Sequence, residues 1–153
     1  MNLSELFFSL DGRISRSKYW LGIVVLAVVN AVATYAIVRL VGISQAAIAF
    51  GAAVSFALIY PSYAVLAKRF QDRGKPGVLA LIAIVPAYGV NLLYTFGVLD
   101  PVEPSTIARA LDAIVVLIFL WYLVELGLLK GTQGPNAYGP DPLGRDRADA
   151  GLS

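Results

Sequence analysis

The sequence contains no cysteine and no histidine among its 153 residues. Without cysteine the chain has no disulfide and no thiol nucleophile. Without histidine it lacks the commonest metal ligand and the usual proton shuttle at neutral pH. Charge is also scarce, because Asp, Glu, Lys and Arg make up only 14% of the residues. These absences count against an enzyme, and neither a metal ion nor another cofactor is expected.

Apolar residues are abundant instead. They make up 58% of the chain, and the mean hydropathy is +0.73. A soluble protein of this length could not bury so much apolar surface. We therefore expect the lipid bilayer to be its solvent and its main partner, and we expect no nucleic acid among its partners.

Four apolar stretches predict four transmembrane helices. The first is uncharged from Tyr19 to Val38, which at 1.5 Å per residue crosses roughly 30 Å, the hydrocarbon thickness of a bilayer. A cleaved signal peptide is the alternative for this stretch, but the apolar run is longer than a signal core needs. The predicted fold is an all-α four-helix transmembrane bundle with spans at 19–38, 43–67, 77–99 and 107–129.

Two of the predicted spans contain residues that disturb helices. Pro61 should bend the second span one or two turns before its end. Pro86 and Gly89 should interrupt the third, which also carries Asn91. Such a break can mark a transport site, although in a single helix we favour a packing kink.

The segments that flank the spans, 1–18 and 130–153, are predicted to lie in the cytoplasm. The first has apolar residues at helical spacing from Leu3 to Leu10, so it forms either an interfacial amphipathic helix or an apolar tail against the bundle. Ser15 is a good N-cap for the first span. The last segment is rich in Gly and Pro, and its charged end is expected to be disordered.

The cations are distributed unevenly between the predicted loops. Of the 12 Lys and Arg, all but Arg39 and Arg109 fall on one side of the membrane. Those on that side are Arg13, Arg16, Lys18, Lys68, Arg69, Arg73, Lys75, Lys130, Arg145 and Arg147. By the positive-inside rule, both termini and the central loop, residues 68–76 between the second and third spans, are expected to lie in the cytoplasm.

Three segments carry a resemblance to a known family: GRISRSKYW at 12–20, YPSYAVLAKRFQDRGKPG at 60–77 and GTQGPNAYGPDP at 131–142. Together they resemble the YhaH-type inner-membrane proteins, the domain-of-unknown-function family 805. The resemblance implies a bacterial inner-membrane protein with four spans and cytoplasmic termini, and it implies no activity. Similar proteins carry His and Ser where this chain has Gln71 and Pro76, so the loop is a poor candidate for proton transfer or metal binding.

The three segments are predicted to meet at the cytoplasmic face, which makes that face the candidate site. Guanidinium groups grip phosphate well, so we expect an anionic lipid headgroup, or another acidic or phosphate-bearing partner, to bind there. The candidate ligand-binding residues are Arg13, Arg16, Lys68, Arg69, Arg73 and Lys75. The candidate polar network consists of Asp72, Glu125, Asn136, Tyr138 and Asp141.

Other functions stay open. A transporter or channel acting as an oligomer would use the second span and the break in the third, and a further membrane-protein partner is also left open. In a structural alternative the charges only fix topology and close the bundle, with Asp72 paired to Arg13 or Arg16 and Glu125 paired to Arg69. A lipid-phosphate enzyme with Asp72 or Glu125 as base or metal ligand has the thinnest support.

The fourth predicted span carries one further charge pair. Arg109 and Asp112 are three residues apart near one end, so we expect them to pair on one helical face.

Overall fold

The computed structural model describes residues 2–144, which form helices and no strand. The predicted all-α class is therefore confirmed. The only β pairing within that range is a single bridge between Asn136 and Gly139. The expected disorder at the C-terminus, with Arg145 and Arg147, falls outside the described residues.

The described part of the chain contains six α-helices, one 3-10 helix and one π-helix. The α-helices are α1 (Leu3–Phe8), α2 (Arg16–Val41), α3 (Gln45–Ala57), α4 (Ile59–Asp72), α5 (Leu81–Thr95) and α6 (Thr106–Tyr122). A 3-10 helix, Gly77–Ala80, leads into α5, and a π-helix, Leu123–Leu128, continues α6.

Four helical stretches are long and apolar enough to cross a membrane, as the sequence predicts. They are Arg16–Val41, Gln45–Asp72, Gly77–Thr95 and Thr106–Leu128, and they are called the first to fourth spans below. Ser15 is the N-cap of the first span, as predicted, and its side chain accepts a hydrogen bond from the Lys18 backbone N–H.

The second span differs from its prediction at its middle and at its end. It is interrupted at Leu58, between α3 and α4, rather than bent at Pro61. Pro61 has no N–H to bond the Ala57 carbonyl, so the helical hydrogen bonding is already incomplete one turn before the proline. The helix also continues to Asp72, so residues 68–72, predicted as loop, are helical. Their charges are buried and satisfied within the protein, which hydropathy alone does not reveal.

The third span is not broken where the sequence predicts. Helix α5 continues through Pro86 and Gly89 to Thr95. A proline in a membrane helix is tolerated when neighbouring groups and small local adjustments satisfy the freed carbonyl. The irregular part of this span is its first turn, Gly77–Ala80.

Helix α1 is docked against the bundle. Its N-terminus has a capping box, in which the Asn2 side chain accepts from the Glu5 N–H and the Glu5 side chain accepts from the Asn2 N–H. Leu6 and Phe7 are buried in the hydrophobic core, whereas Leu3 and Phe8 are exposed. The two sequence alternatives are therefore combined, because the segment is a helix and it also packs on the bundle through α4.

Each span packs on the next one in chain order, and the bundle closes at one end only. The backbones of the first and fourth spans come close to each other only along the π-helix 123–128. At that end lie α1, the end of α4 and the chain after Leu128, and we call it the basic end. The core cluster, which includes Ile14, Val65 and Phe70, also lies there.

Candidate functional site

Asp72, the last residue of α4, is the centre of the basic end. Its carboxylate is buried and bonds two guanidinium groups: Oδ1 is 3.1 Å from Arg13 Nε, and Oδ2 accepts from Arg69 Nη1. Arg69 lies one turn earlier on the same helix. Of the two predicted partners of Asp72, Arg13 forms the pair and Arg16 does not. Arg69, predicted to pair with Glu125, is the second partner.

Arg13 attaches the C-terminal segment to this cluster. Nη1 donates to the Gly134 carbonyl at 2.7 Å and the Gly139 carbonyl at 3.1 Å. Nη2 donates to the Thr132 carbonyl at 2.6 Å and to its hydroxyl at 3.0 Å. With the bond to Asp72, all five N–H groups of the guanidinium have acceptors. Arg13 is only 4% exposed, so it has no donor left for a ligand.

Cations and one indole also satisfy the end of the fourth span. The last carbonyls of a helix have no intrahelical partner and carry the negative end of the helix dipole. Five consecutive carbonyls, from Leu126 to Lys130, accept side-chain donors instead. In order, the donors are Arg69 Nε, Trp20 Nε1, Arg16 Nη1, Arg69 Nη2 and Arg73 Nη1.

Lys68 and Gln71 hold the N-terminal segment. Lys68 is completely buried, and its ammonium donates to the carbonyls of Glu5 at 2.5 Å and Leu6 at 2.7 Å. With its nitrogen turned toward them, the Gln71 amide donates to the carbonyls of Leu10 at 3.2 Å and Gly12 at 2.6 Å. Gln71, at the position where similar proteins carry His, therefore has a structural role in this chain.

Glu125 has different partners from the one predicted. Its Oε1 is 3.1 Å from Arg73 Nε and 2.8 Å from Lys75 Nζ. The expected pairing with Arg69 is wrong, because Asp72 and main-chain carbonyls already occupy that guanidinium. Arg73, one turn further along the chain, is level with Glu125 and takes its place.

Most of the predicted polar network folds the segment after the fourth span onto α4. Asn136 Nδ2 donates to the Gln71 carbonyl at 2.9 Å, and Asp141 accepts from the Gly134 N–H at 3.3 Å. Tyr138 takes part through its backbone N–H, which bonds Asn136 Oδ1 at 2.8 Å. Thr132, which the sequence reasoning missed, donates from its N–H and its hydroxyl to the Asp72 carbonyl.

Two cations are the most exposed ones at this end within the described residues. Arg16 and Lys130 are exposed, and both line a small cavity of about 120 Å³ together with Pro142 and Leu143. The buried Arg69–Asp72 pair also lines this cavity, so its wall includes one carboxylate. The sequence reasoning used Lys130 for topology only, since no residue pattern distinguishes it from the other cations.

An apolar cleft of about 290 Å³ begins one turn further along the first span. Tyr19, Trp20 and Ile23 line one side, and Phe119 and Leu123 of the fourth span line another. The cleft exists because these two spans separate beyond the π-helix.

Two tyrosines of the cleft differ in their hydrogen bonding. The Tyr122 hydroxyl donates to the Leu79 carbonyl at 2.5 Å and accepts from the Ala83 N–H at 3.2 Å. No hydrogen bond within residues 2–144 involves the Tyr19 hydroxyl, although Tyr19 is only 5% exposed.

A third cavity, of about 450 Å³ and with a mixed polar and apolar lining, lies toward the opposite end. Asn30, Thr34, Ser55, Asn91 and Tyr94 are among the residues that line it. Asn30 Nδ2 donates to Ser55 Oγ at 3.4 Å, a long hydrogen bond.

The residues predicted to form an ion pair at that end have other partners. Asp112 accepts from the Tyr94 hydroxyl at 2.7 Å, and Arg109 Nε donates to the Pro104 carbonyl at 3.2 Å. Across the described chain, no group of three or more Asp, Glu, His or Cys is arranged to hold a metal ion.

Comparisons with known proteins agree on one relationship. A family model described as "Protein of unknown function (DUF805)" matches residues 7–140. The uncharacterized protein YiiR of Escherichia coli strain K12 is 32% identical over 142 residues, which covers 92% of this chain and 90% of YiiR. YiiR of Escherichia coli O157:H7 matches to the same extent. No solved structure matches the chain.

Proposed function

The chain belongs to the DUF805 family of proteins of unknown function, and from its geometry we propose that it binds an anionic phospholipid at its basic end. In this proposal it is a multi-pass protein of the bacterial inner membrane with both termini in the cytoplasm. The basic end then meets the cytoplasmic leaflet, whose anionic lipids attract cations near the surface.

The buried cations of the basic end take little part in this proposal. Arg13, Lys68 and Arg69 donate to carbonyls and to Asp72 within the protein. Arg73 and Lys75 share the carboxylate of Glu125. Of the six residues predicted to bind a ligand, Arg16 is the one best placed to do so, and Lys130 joins it.

One observation carries the proposal: the cavity with Arg16 and Lys130 lies next to the mouth of the apolar cleft. Arg16 precedes Tyr19 and Trp20 by one helical turn, and Ile23 follows one turn later on the same face. If the two cations bind the phosphate of a phospholipid, the acyl chains of that lipid would lie beside this face of the first span. A membrane lipid has this order of charge and apolar surface.

The test is selective lipid binding. We expect protein in nanodiscs to bind phosphatidylglycerol saturably and more tightly than phosphatidylcholine. Replacing both Arg16 and Lys130 with Gln should weaken phosphatidylglycerol binding by about 2 kcal/mol, roughly 30-fold, since each cation near an anionic headgroup contributes about 1 kcal/mol.

Arg39→Gln is the matched control, because it removes an exposed cation from the other end of the first span. Glycerol 3-phosphate is the soluble competitor that separates phosphate recognition from lipid recognition. Equal binding of phosphatidylcholine, or an unchanged double variant, would contradict the proposal. The structural alternative, in which the charges only fix topology and close the bundle, would then be favoured.

Transport by an oligomer is a second candidate, and the polar side chains that line the cavity of about 450 Å³ favour it. Neutral polar side chains such as Asn30, Asn91 and Ser55 at membrane depth are typical of a cavity that water or a solute enters. Solute flux into liposomes should then fall in Asn91→Leu and stay unchanged in Arg39→Gln. Flux no greater than that of empty liposomes would exclude this function for the solutes tested.

A further inference from the structure

The Tyr19 hydroxyl is a buried donor that no protein acceptor satisfies within the described chain. Three other tyrosine hydroxyls in that range have acceptors: Tyr122 donates to Leu79, Tyr60 to Phe8 and Tyr94 to Asp112. A hydroxyl taken out of water without a partner destabilises the protein, so buried hydroxyls almost always have one. Tyr19 lines the apolar cleft, and an acceptor on a ligand in the cleft would complete its hydrogen bonding.

The position of Tyr19 restricts where on the ligand that acceptor lies. Tyr19 follows Arg16 by one helical turn, a rise of roughly 4.5 Å toward the membrane interior. In a glycerophospholipid with ester-linked chains, the ester carbonyls lie a few covalent bonds below the phosphate, at the start of the acyl chains. A phosphate bound near Arg16 and Lys130 therefore brings a carbonyl to the depth of Tyr19.

We infer that the cleft recognises diacyl glycerophospholipids, with the Tyr19 hydroxyl donating a hydrogen bond to an ester carbonyl. This inference rests on the proposed phospholipid binding and adds a requirement to it. Phosphate and apolar chain alone do not suffice, so ether-linked phospholipids and polyprenyl phosphates, which lack the ester carbonyl, bind more weakly.

The experiment compares two lipids in two proteins. Dioleoyl phosphatidylglycerol and its ether-linked analogue are titrated into nanodiscs that hold either the wild-type chain or Tyr19→Phe. One hydrogen bond gives the wild type an expected preference of about three- to tenfold for the ester lipid. Tyr19→Phe should bind both lipids equally, at the affinity of the wild type for the ether lipid.

The control is Tyr88→Phe, which removes a hydroxyl from another tyrosine that lines the same cleft, on the third span. It should keep the ester preference. A second measurement addresses folding: in detergent without phospholipid, Tyr19→Phe should unfold at the same temperature as the wild type or a higher one. The reason is that the substitution removes a polar group that has no partner.

The outcomes separate this inference from the proposed function. Equal binding of ester and ether lipids by the wild type, or an ester preference that survives in Tyr19→Phe, overturns the role of Tyr19. Dependence on Arg16 and Lys130 would still support phospholipid binding in that case. Loss of stability in lipid-free Tyr19→Phe would show an acceptor within the protein and also overturn the inference. Failure of both phospholipids to bind overturns the inference and the proposed function together.

Discussion

At the residue scale, Asp72 joins three distant parts of the chain. Its carboxylate pairs with Arg13, which precedes the first span, and with Arg69 on its own helix. Its carbonyl accepts from Thr132, which follows the fourth span. Removing one partner of a buried ion pair leaves a charge without compensation, which costs more than the intact pair contributes.

We therefore expect Asp72→Asn to lower the free energy of unfolding by about 3–5 kcal/mol. Both arginines would keep their charge in a buried site and lose the carboxylate that they share. The measurement is unfolding of the purified protein in detergent. Asp11→Asn, at an exposed position, is the matched control, and equal effects of the two substitutions would contradict a central role for Asp72.

Position 131 requires glycine because there is no room for a side chain, and not because of the backbone conformation. A Cβ at this position would overlap the Asp72 carboxylate, although φ is not in the left-handed region. Gly131→Ala should therefore destabilise the protein by about 1–3 kcal/mol. Gly51→Ala is the contrasting variant, because its Cβ would meet nothing within 4 Å and the helix should gain up to about 1 kcal/mol. Thermal unfolding of both variants checks the difference in sign.

At this scale the sequence allowed only part of the site to be predicted. Charge type and segment order suffice to place Arg13 or Arg16 with Asp72, and the structure shows that the partner is Arg13. They do not decide between neighbouring cations, so Arg73 rather than Arg69 pairs with Glu125. The roles of Thr132 and Gly131 depend on side-chain packing across 60 residues of chain, for which no local pattern exists.

At the scale of elements, cations attach the irregular segments to the bundle. Lys68 lies on the face of α4 that meets α1, and it donates to the carbonyls at the end of that short helix. A helix of 6 residues is unstable by itself, so its structure depends on such contacts.

Lys68→Met should therefore release α1 while the spans stay folded. The expected result is faster amide hydrogen exchange in residues 3–8, because Glu5 and Leu6 lose their donor. Lys75→Met, which removes a partly exposed cation paired with Glu125, is the control and should leave that exchange unchanged. Slower or unchanged exchange in Lys68→Met would contradict the anchoring role.

The elements themselves could be predicted well, but their ends could not. Bilayer thickness fixes the length of an apolar helix, so all four spans lie close to their predicted positions. Hydropathy does not predict that residues 68–72 are helical, because the charged side chains in this segment have their partners inside the protein. The sequence predicts the irregularity of the second span at Pro61, one turn later than its position at Leu58. It does not predict the intact helix at Pro86, which depends on neighbouring groups.

At the scale of the whole molecule, cohesion is concentrated at the basic end. The core cluster and the ion pairs of Asp72 and Glu125 lie there, and the first and fourth spans meet only there. The sequence predicts this convergence. Two predicted spans separate the N-terminal segment from the central loop, and two more separate that loop from the C-terminal segment, so all three are expected on the same side. It does not predict the cleft, which depends on the angles between helices.

The orientation of the molecule can be tested because the chain has no cysteine of its own. We expect Glu103→Cys to react with a membrane-impermeant thiol reagent on spheroplasts. Asp11→Cys and Gln133→Cys should react only after the membrane is permeabilised, since the positive-inside rule places the basic end in the cytoplasm. All three positions are exposed in the structure. The reverse pattern, or labelling of all three, would contradict the proposed orientation.

The main-chain acceptors at the end of the fourth span and in the segment after it have a consequence for biosynthesis. Arg13 is synthesised early, yet its main-chain acceptors at Thr132, Gly134 and Gly139 follow 119 to 126 residues later. Arg16 and Arg69 also wait for the acceptors that end the last span. Until that span has entered the bilayer, these cations must stay hydrated or find temporary acceptors. The basic end therefore forms last, and a chain that stops before Leu126 leaves Arg13 and Arg16 without their main-chain acceptors.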